Sequence, residues 1–205
     1  MRYAIYGIGG FGREIAPLAL ENAADWTTTE KPGSTHKVGT PVIFVDDADN
    51  RPSMVNDIGV IGFDDLISAN HRDRRIIIAV GDGRTRQKLE KKCTDAGLVI
   101  GTLVSRTARN LTANEFGEGT VLCDHVIITA NAKIGKSFQA NLNSYVAHDC
   151  VLGDYVTFAP GVHLNGNIRI GNYAYIGTGA VFIQGKKDNP LMIGEGGIVG
   201  MGAVV

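Results

Sequence analysis

"NAKIGKSFQANLNSYVAHDCVLGDYVTFAPGVHL", residues 131–164, returns an apolar side chain at every sixth position. The same step runs through Phe116, Leu122, Ile128, Ile134, Ala140, Val146, Leu152, Phe158, Leu164, Ile170, Ile176 and Phe182. Four residues after each of these comes a second series, from Thr120 through Val126, Cys150 and Ile168 to Ala180, which is small or apolar apart from the bulk of Phe138. Gly often follows the first position, as in IGKS, LGDY, IGNY and IGTG. The step breaks across QGKKDNP (184–190) and resumes at Ile193, Val199 and Val205. A period of six with two inward residues and a turn describes one side of a parallel β-helix whose coil is a triangle of three hexads. Amphipathic helices would need apolar spacings of three and four, and the Gly, Asn and β-branched content opposes them. One coil is then eighteen residues, and stacked coils bury the period-six positions in a column while the flat faces stay outside for binding.

Upstream the texture is different. The runs RYAIYG (2–7), PVIFVDD (41–47) and RRIIIAVG (74–81) read as strands. Glu14–Glu21 and Arg84–Ala96 space apolar residues at helical intervals, with Gly97 placed as a C-cap. DWTTTEKPGSTHKVG (25–39) and ADNRPSM (48–54) have no period and read as surface loops. The expectation is a small Rossmann-like α/β domain with a parallel sheet over 1–105, followed by the β-helix over 106–205.

The totals narrow the function. Twenty basic residues against twenty-one acidic ones leave a net charge of −1, which gives no footprint for nucleic acid or for a membrane surface. A small-molecule partner follows. The longest apolar runs are strand-sized, well short of a spanning helix. Three cysteines without close pairing, and no charged-then-apolar leader, predict a cytoplasmic protein without disulfides. The repeats stop in mid-hexad at GMGAVV, so a further segment is expected over that end.

Spacing picks out His148. Eighteen residues either way lie Ala130 and Gly166, small neighbours that leave room beside an imidazole, and Asp149 falls between Asn131 and Asn167 in a polar row. A histidine that titrates near neutrality suits removal of a proton from an attacking amine or hydroxyl, so His148 is the expected general base. Asp149 raises its basicity if the two meet; adjacent strand residues point to opposite faces, so the turn between them decides. Cys150 occupies an inward position and is expected to be core rather than nucleophile. His125 and His163 have no acid beside them, and no spacing makes a metal site.

Gly hexads after an α/β unit that opens IYGIGGFGRE, with HDCVLGDY inside the repeats, resemble the left-handed β-helix sugar acyltransferases, and within them the bacterial nucleotide-aminosugar N-acetyltransferases and sialic-acid O-acetyltransferases. The resemblance implies an acetyl-coenzyme-A-dependent enzyme of surface glycan biosynthesis, direct transfer without an acyl-enzyme, and a homotrimer with active sites between subunits. It places Thr157, where some relatives have histidine, near the acetyl group, and Thr178 and Met201 along the pantetheine channel. Lys186 and Lys187 are candidates for the coenzyme A phosphates. The loop Gly7-x-Gly9-Gly10-x-Gly12 lies after a strand and before a helix, a context that brings backbone N–H groups to a phosphate. The acid that ends the second strand, Asp46, lies well beyond the twenty or so residues at which a dinucleotide ribose would be held, which argues against an oxidoreductase. By resemblance Gly9, Gly10, Phe11, Asp46, Asp47 and Gly81 bind the sugar nucleotide, Phe11 standing where a relative has histidine. The other classes left open are a sugar O-acetyltransferase and a non-catalytic β-helix scaffold.

Overall fold

A computed structural model of the chain describes residues 1–23, 40–68 and 70–205. The expected loop over 25–39 lies outside the described residues. The chain divides into two compact units, one of residues 1–80 with 89–101, the other of 81–88 with 102–205.

The first unit contains a six-stranded sheet. Its strands are β1 (Tyr3–Tyr6), β2 (Val42–Val45), β3 (Met54–Val55), β4 (Ile58–Ile61), β5 (Arg75–Ile78) and β6 (Val99–Ile100), in the order β3-β4-β2-β1-β5-β6. All pairings are parallel except β3 with β4, which is antiparallel. Its helices are α1 (Gly10–Ala23), α2 (Phe63–Leu66) and, from residue 89 on, α3 (Gly83–Asp95), whose first residues count with the second unit. The central strands β1 and β2 are buried along their whole length, which is why they read as continuous apolar runs rather than as alternation. The three expected strands and two long helices are present, and Gly97 closes α3 at φ +75 with Leu98 N donating to Cys93 O. The loop expected over 48–54 is shorter than its reading, because Met54 opens β3 of a hairpin. Asn56 and Asp57 (φ 47 and 61) supply its two-residue turn.

The second unit is a parallel β-helix. One sheet stacks Leu103–Val104, Val121–Leu122, Gln139–Ala140, Thr157–Phe158, Tyr175–Ile176 and Ile198–Val199. A second stacks Arg109–Thr112, Ile127–Ala130, Tyr145–Val146, His163–Leu164 and Val181–Phe182. The third stacks Glu115–Phe116, Lys133–Ile134, Val151–Leu152, Ile168–Ile170 and Leu191–Ile193. Partners such as Ile134 and Leu152, or Val146 and Leu164, are eighteen residues apart. The period-six residues from Leu122 to Phe182 are all buried, and so is the second inward series from Thr120 to Ala180. Phe138 fits that series by meeting Phe158 edge to face, with ring centres 5.1 Å apart.

Corners are made by residues in the left-handed region. Asn131, Asp149 and Asn167 (φ 56, 59 and 57) form one column, Ser137, Tyr155 and Tyr173 (51, 59 and 60) a second, and His125, Asn143, Gly161 and Gly179 (59, 59, 68 and 68) a third. Each corner turns the chain onto the next side of the triangle without a helix or a long loop, so consecutive sheets lie one hexad apart.

Candidate active site

His148 leaves the strand Tyr145–Val146 just before the corner at Asp149. Because Asp149 is left-handed, its side chain turns back toward its neighbour, and His148 Nδ1 lies 2.8 Å from Asp149 Oδ2. The turn therefore makes the contact that strand alternation would have forbidden. A carboxylate only accepts, so Nδ1 carries the proton and donates it, leaving the lone pair of Nε2 as the base. Both side chains are about half open to solvent, 44% and 49%, so a substrate can reach them.

The expected stacking is present: Asp149 N donates to Ala130 O at 3.0 Å and Asn167 N to His148 O at 3.1 Å. The space beside Gly166 is used differently from the sequence reading. A Cβ on Gly166 would lie 2.5 Å from both Cε1 and Nε2 of His148, so the imidazole itself occupies that space, lying flat on the Gly166 backbone. Cys150 is fully buried, its Sγ donates to Asn165 O at 3.2 Å, and burial pushes its thiol up to about 11. That is the chemistry of a core filler, as its inward position predicted. His125 stands at an exposed corner, and the His163 ring lies 6.2 Å from that of Tyr145. Among the described residues no group of His, Cys, Asp and Glu is arranged to hold a metal.

Thr157 is 7% exposed and its Oγ1 donates to Gly81 O at 2.8 Å, so two residues that the sequence assigned to different ligands are bonded to each other. Thr178 is exposed, and its carbonyl accepts from Gly202 N at 2.8 Å beside Met201, which is 81% exposed. Lys186 and Lys187 are exposed in the loop that interrupts the hexads, where Lys186 and Asn189 exchange backbone hydrogen bonds of 3.1 and 3.2 Å.

In the first unit the glycines separate by role. Gly7 is left-handed (φ +113), and a Cβ on Gly12 would lie 2.0 Å from Gly7 O, so these two serve strand-to-helix packing. Gly9 and Gly10 are exposed with nothing within 4 Å of a Cβ, and Phe11 is half-buried on the first turn of α1. Asp46 Oδ1 accepts from Ala48 N at 2.7 Å. Asp47 Oδ2 accepts from Tyr6 OH at 2.5 Å and from Lys92 Nζ at 2.7 Å, and Lys92 also lies 4.0 Å over the Phe63 ring. Burial pushes the Asp47 carboxyl up, but the hydrogen bonds from Lys92 and Tyr6 and the charges of Lys92 and Arg51 outweigh it and hold it below the usual carboxylate range. A cavity of about 430 Å³ opens at this point, lined by Asp47, Arg51, Phe63 and Lys92 among others.

Sequence reasoning missed Tyr6 and Lys92, which carried no motif, and Arg86. Arg86 is 1% exposed and is held by Ser137 O, Tyr155 O, Gln139 Oε1 and Gly81 O. Its signal was its place at helical spacing from Leu89 and Cys93, on the inward stripe of α3.

Two family profiles match this chain: the PglD N-terminal domain over residues 2–93 and the bacterial transferase hexapeptide (six repeats) over 149–184. The chain is 36% identical over 194 residues to the GDP-perosamine N-acetyltransferase of Escherichia coli O157:H7, covering 95% of this chain and 83% of that protein. Among solved structures, WeeI from Acinetobacter baumannii AYE is 42% identical with a TM-score of 0.89, over 100% of this chain and 91% of its own. PerB from Caulobacter crescentus, in complex with CoA and GDP-perosamine, is 28% identical with a TM-score of 0.79, over 100% and 88%. The β-helix shared with these structures is left-handed. Among the described residues no helix is long and apolar enough to cross a membrane.

Proposed function

Because the chain belongs to the hexapeptide-repeat, left-handed β-helix sugar acetyltransferases, we propose that it transfers the acetyl group of acetyl-coenzyme A to the amino group of a nucleotide-linked amino sugar, with His148 as general base. The single observation that carries the residue assignment is the 2.8 Å bond between His148 Nδ1 and Asp149, which leaves the Nε2 lone pair free to accept a proton on a side chain about half open to solvent. In this reading Nε2 takes a proton from the sugar nitrogen as that nitrogen attacks the thioester carbonyl. A C–N bond forms, the C–S bond breaks, and the coenzyme A thiolate leaves and is protonated. Asp149 stabilises the imidazolium formed on the way. The buried Cys150 thiol, held protonated, has no part in it.

The relatives named for GDP-perosamine support an amino sugar carried on a nucleotide such as GDP as the acceptor class, and we read the product as a unit for a surface glycan. Proposed sugar-nucleotide contacts are Gly9, Gly10, Phe11, Asp46, Asp47 and Gly81. Proposed coenzyme A contacts are Thr178, Met201, Lys186 and Lys187. We place the reaction in the cytoplasm, where acetyl-coenzyme A is made, and in a homotrimer with sites between subunits; sedimentation at micromolar concentration as a species three times the 21.8 kDa chain checks the assembly. The activity is tested by thiol release from acetyl-coenzyme A against GDP- and UDP-linked amino sugars and free sialic acid. One amino sugar should turn over, with His148→Ala slower by about 10²- to 10⁴-fold. Turnover of sialic acid alone would move the assignment to O-transfer, and full activity in His148→Ala would remove the base.

A further inference from the structure

We infer that Thr157 and Arg86 are positioning residues for the sugar nucleotide, acting through the backbone of Gly81, and that Thr157 is not a contact of the acetyl donor. The inference rests on the reading of Gly81 as a sugar-nucleotide contact. Gly81 O accepts two hydrogen bonds, from Thr157 Oγ1 at 2.8 Å and from Arg86 Nη1 at 3.2 Å. Away from that carbonyl, at the Cβ position of the same residue, nothing lies within 4 Å. Gly81 thus has one side locked and one side open, the arrangement of a backbone presented to a ligand.

The hydroxyl of threonine has one hydrogen to donate, and here it goes to Gly81. None remains to polarise a thioester carbonyl, and at 7% exposure the side chain has little surface to offer one. Arg86 reinforces the arrangement. Its guanidinium reaches Ser137 O at 3.0 Å and Tyr155 O at 2.7 Å, carbonyls of two successive coils, as well as Gln139 Oε1 at 3.1 Å. Two residues beyond Gly81, a Cβ on Gly83 would lie 2.5 Å from Tyr155 O, so this segment rests directly on the coil wall. Arginine suits the task because its fixed fork of donors can tie several carbonyls at once.

Calorimetric titration of GDP and of coenzyme A into the full-length wild type, Thr157→Val, Thr157→Ser and Gly81→Ala tests the inference. Thr157→Val should weaken GDP by about five- to tenfold, the loss of roughly one hydrogen bond, and leave coenzyme A unchanged. Thr157→Ser, which keeps the hydroxyl, should restore GDP binding, and Gly81→Ala should weaken GDP alone. The inference is overturned if Thr157→Val weakens coenzyme A instead, if the variant only melts earlier while both affinities hold, or if the wild type binds no GDP. Should the GDP shifts appear while the wild type transfers nothing to GDP-perosamine, the reaction assignment fails and the positioning role stands.

Discussion

The imidazole of His148 is fixed from two directions. Asp149 holds Nδ1, and the flat face of the ring rests on Gly166 one coil further on. The first restraint depends on a left-handed residue next to the histidine, which the short polar side chain of Asp149 tolerates as Asn131 and Asn167 do above and below it. The second depends on the absence of a side chain at position 166. Gly166→Ala would place a methyl 2.5 Å from the ring and push it off its seat, while the backbone there lies outside the left-handed region and accepts alanine. The expected result is a folded protein with an unchanged melting temperature and kcat lowered by about 10- to 100-fold, as a misplacement near 1 Å at a reacting group produces. Equal kcat in the two proteins would show that the ring position does not matter.

At the scale of the element, α3 begins with a built cap. Asp82 Oδ1 accepts from Thr85 N at 2.8 Å, satisfying one orphan donor of the first turn, and the hydroxyl and amide of Thr85 together hold the Asp82 carboxyl below its usual range. Asp82→Ala is expected to destabilise the fold by about 1 kcal/mol at pH 7. A depressed carboxylate contributes its full stability above the unfolded pKa near 4, and that contribution is lost as pH falls through the lower folded value. The difference in melting temperature between wild type and Asp82→Ala should therefore be constant from pH 7 to about 5 and shrink below about 4. A difference that persists unchanged into stronger acid would mean the carboxylate is not what caps the helix. Elements of this kind were partly legible in advance. The hexads were, because an inward residue every six positions is forced by a triangular coil, and β1, β2 and β5 were, because sheets covered on both faces need unbroken apolar runs. The hairpin of β3 and β4 was not, since Gly59 interrupts its second strand and two-residue strands have no period to read. The tyrosine corners at 155 and 173 were hidden too: left-handed backbone is unusual for bulky side chains, and here ring stacking at 5.6 Å supports both. The His148–Asp149 contact could only be left open, because whether neighbours meet is decided by one φ angle that residue type does not dictate.

At the scale of the molecule, the second unit is a one-dimensional stack in which each coil is held by the next, so its stability is a sum over neighbouring coils rather than a property of one centre. The single departure from the eighteen-residue step tests this. Ile170 pairs with Ile193 and Ile176 with Val199, twenty-three residues apart, so the segment around QGKKDNP is five residues longer than its place in the stack requires. The extra chain leaves and returns at one point: Gly185 N donates to Gly166 O at 2.9 Å, and a Cβ on Gly185 would lie 2.7 Å from Leu191 N. Removing residues 186–190 therefore restores the step without moving Ile168↔Leu191 or Ile170↔Ile193 out of register. The shortened protein is expected to fold with its melting temperature within about 5 °C of wild type, since what is lost is a surface loop of four exposed polar residues and the half-buried Pro190. If Lys186 and Lys187 meet the phosphates of coenzyme A, the deletion should raise the KM for acetyl-coenzyme A about tenfold and leave that for the sugar nucleotide alone, with the effect fading as salt is raised. Loss of folding would instead show that the loop, and not the hexad column, holds the last coils in register.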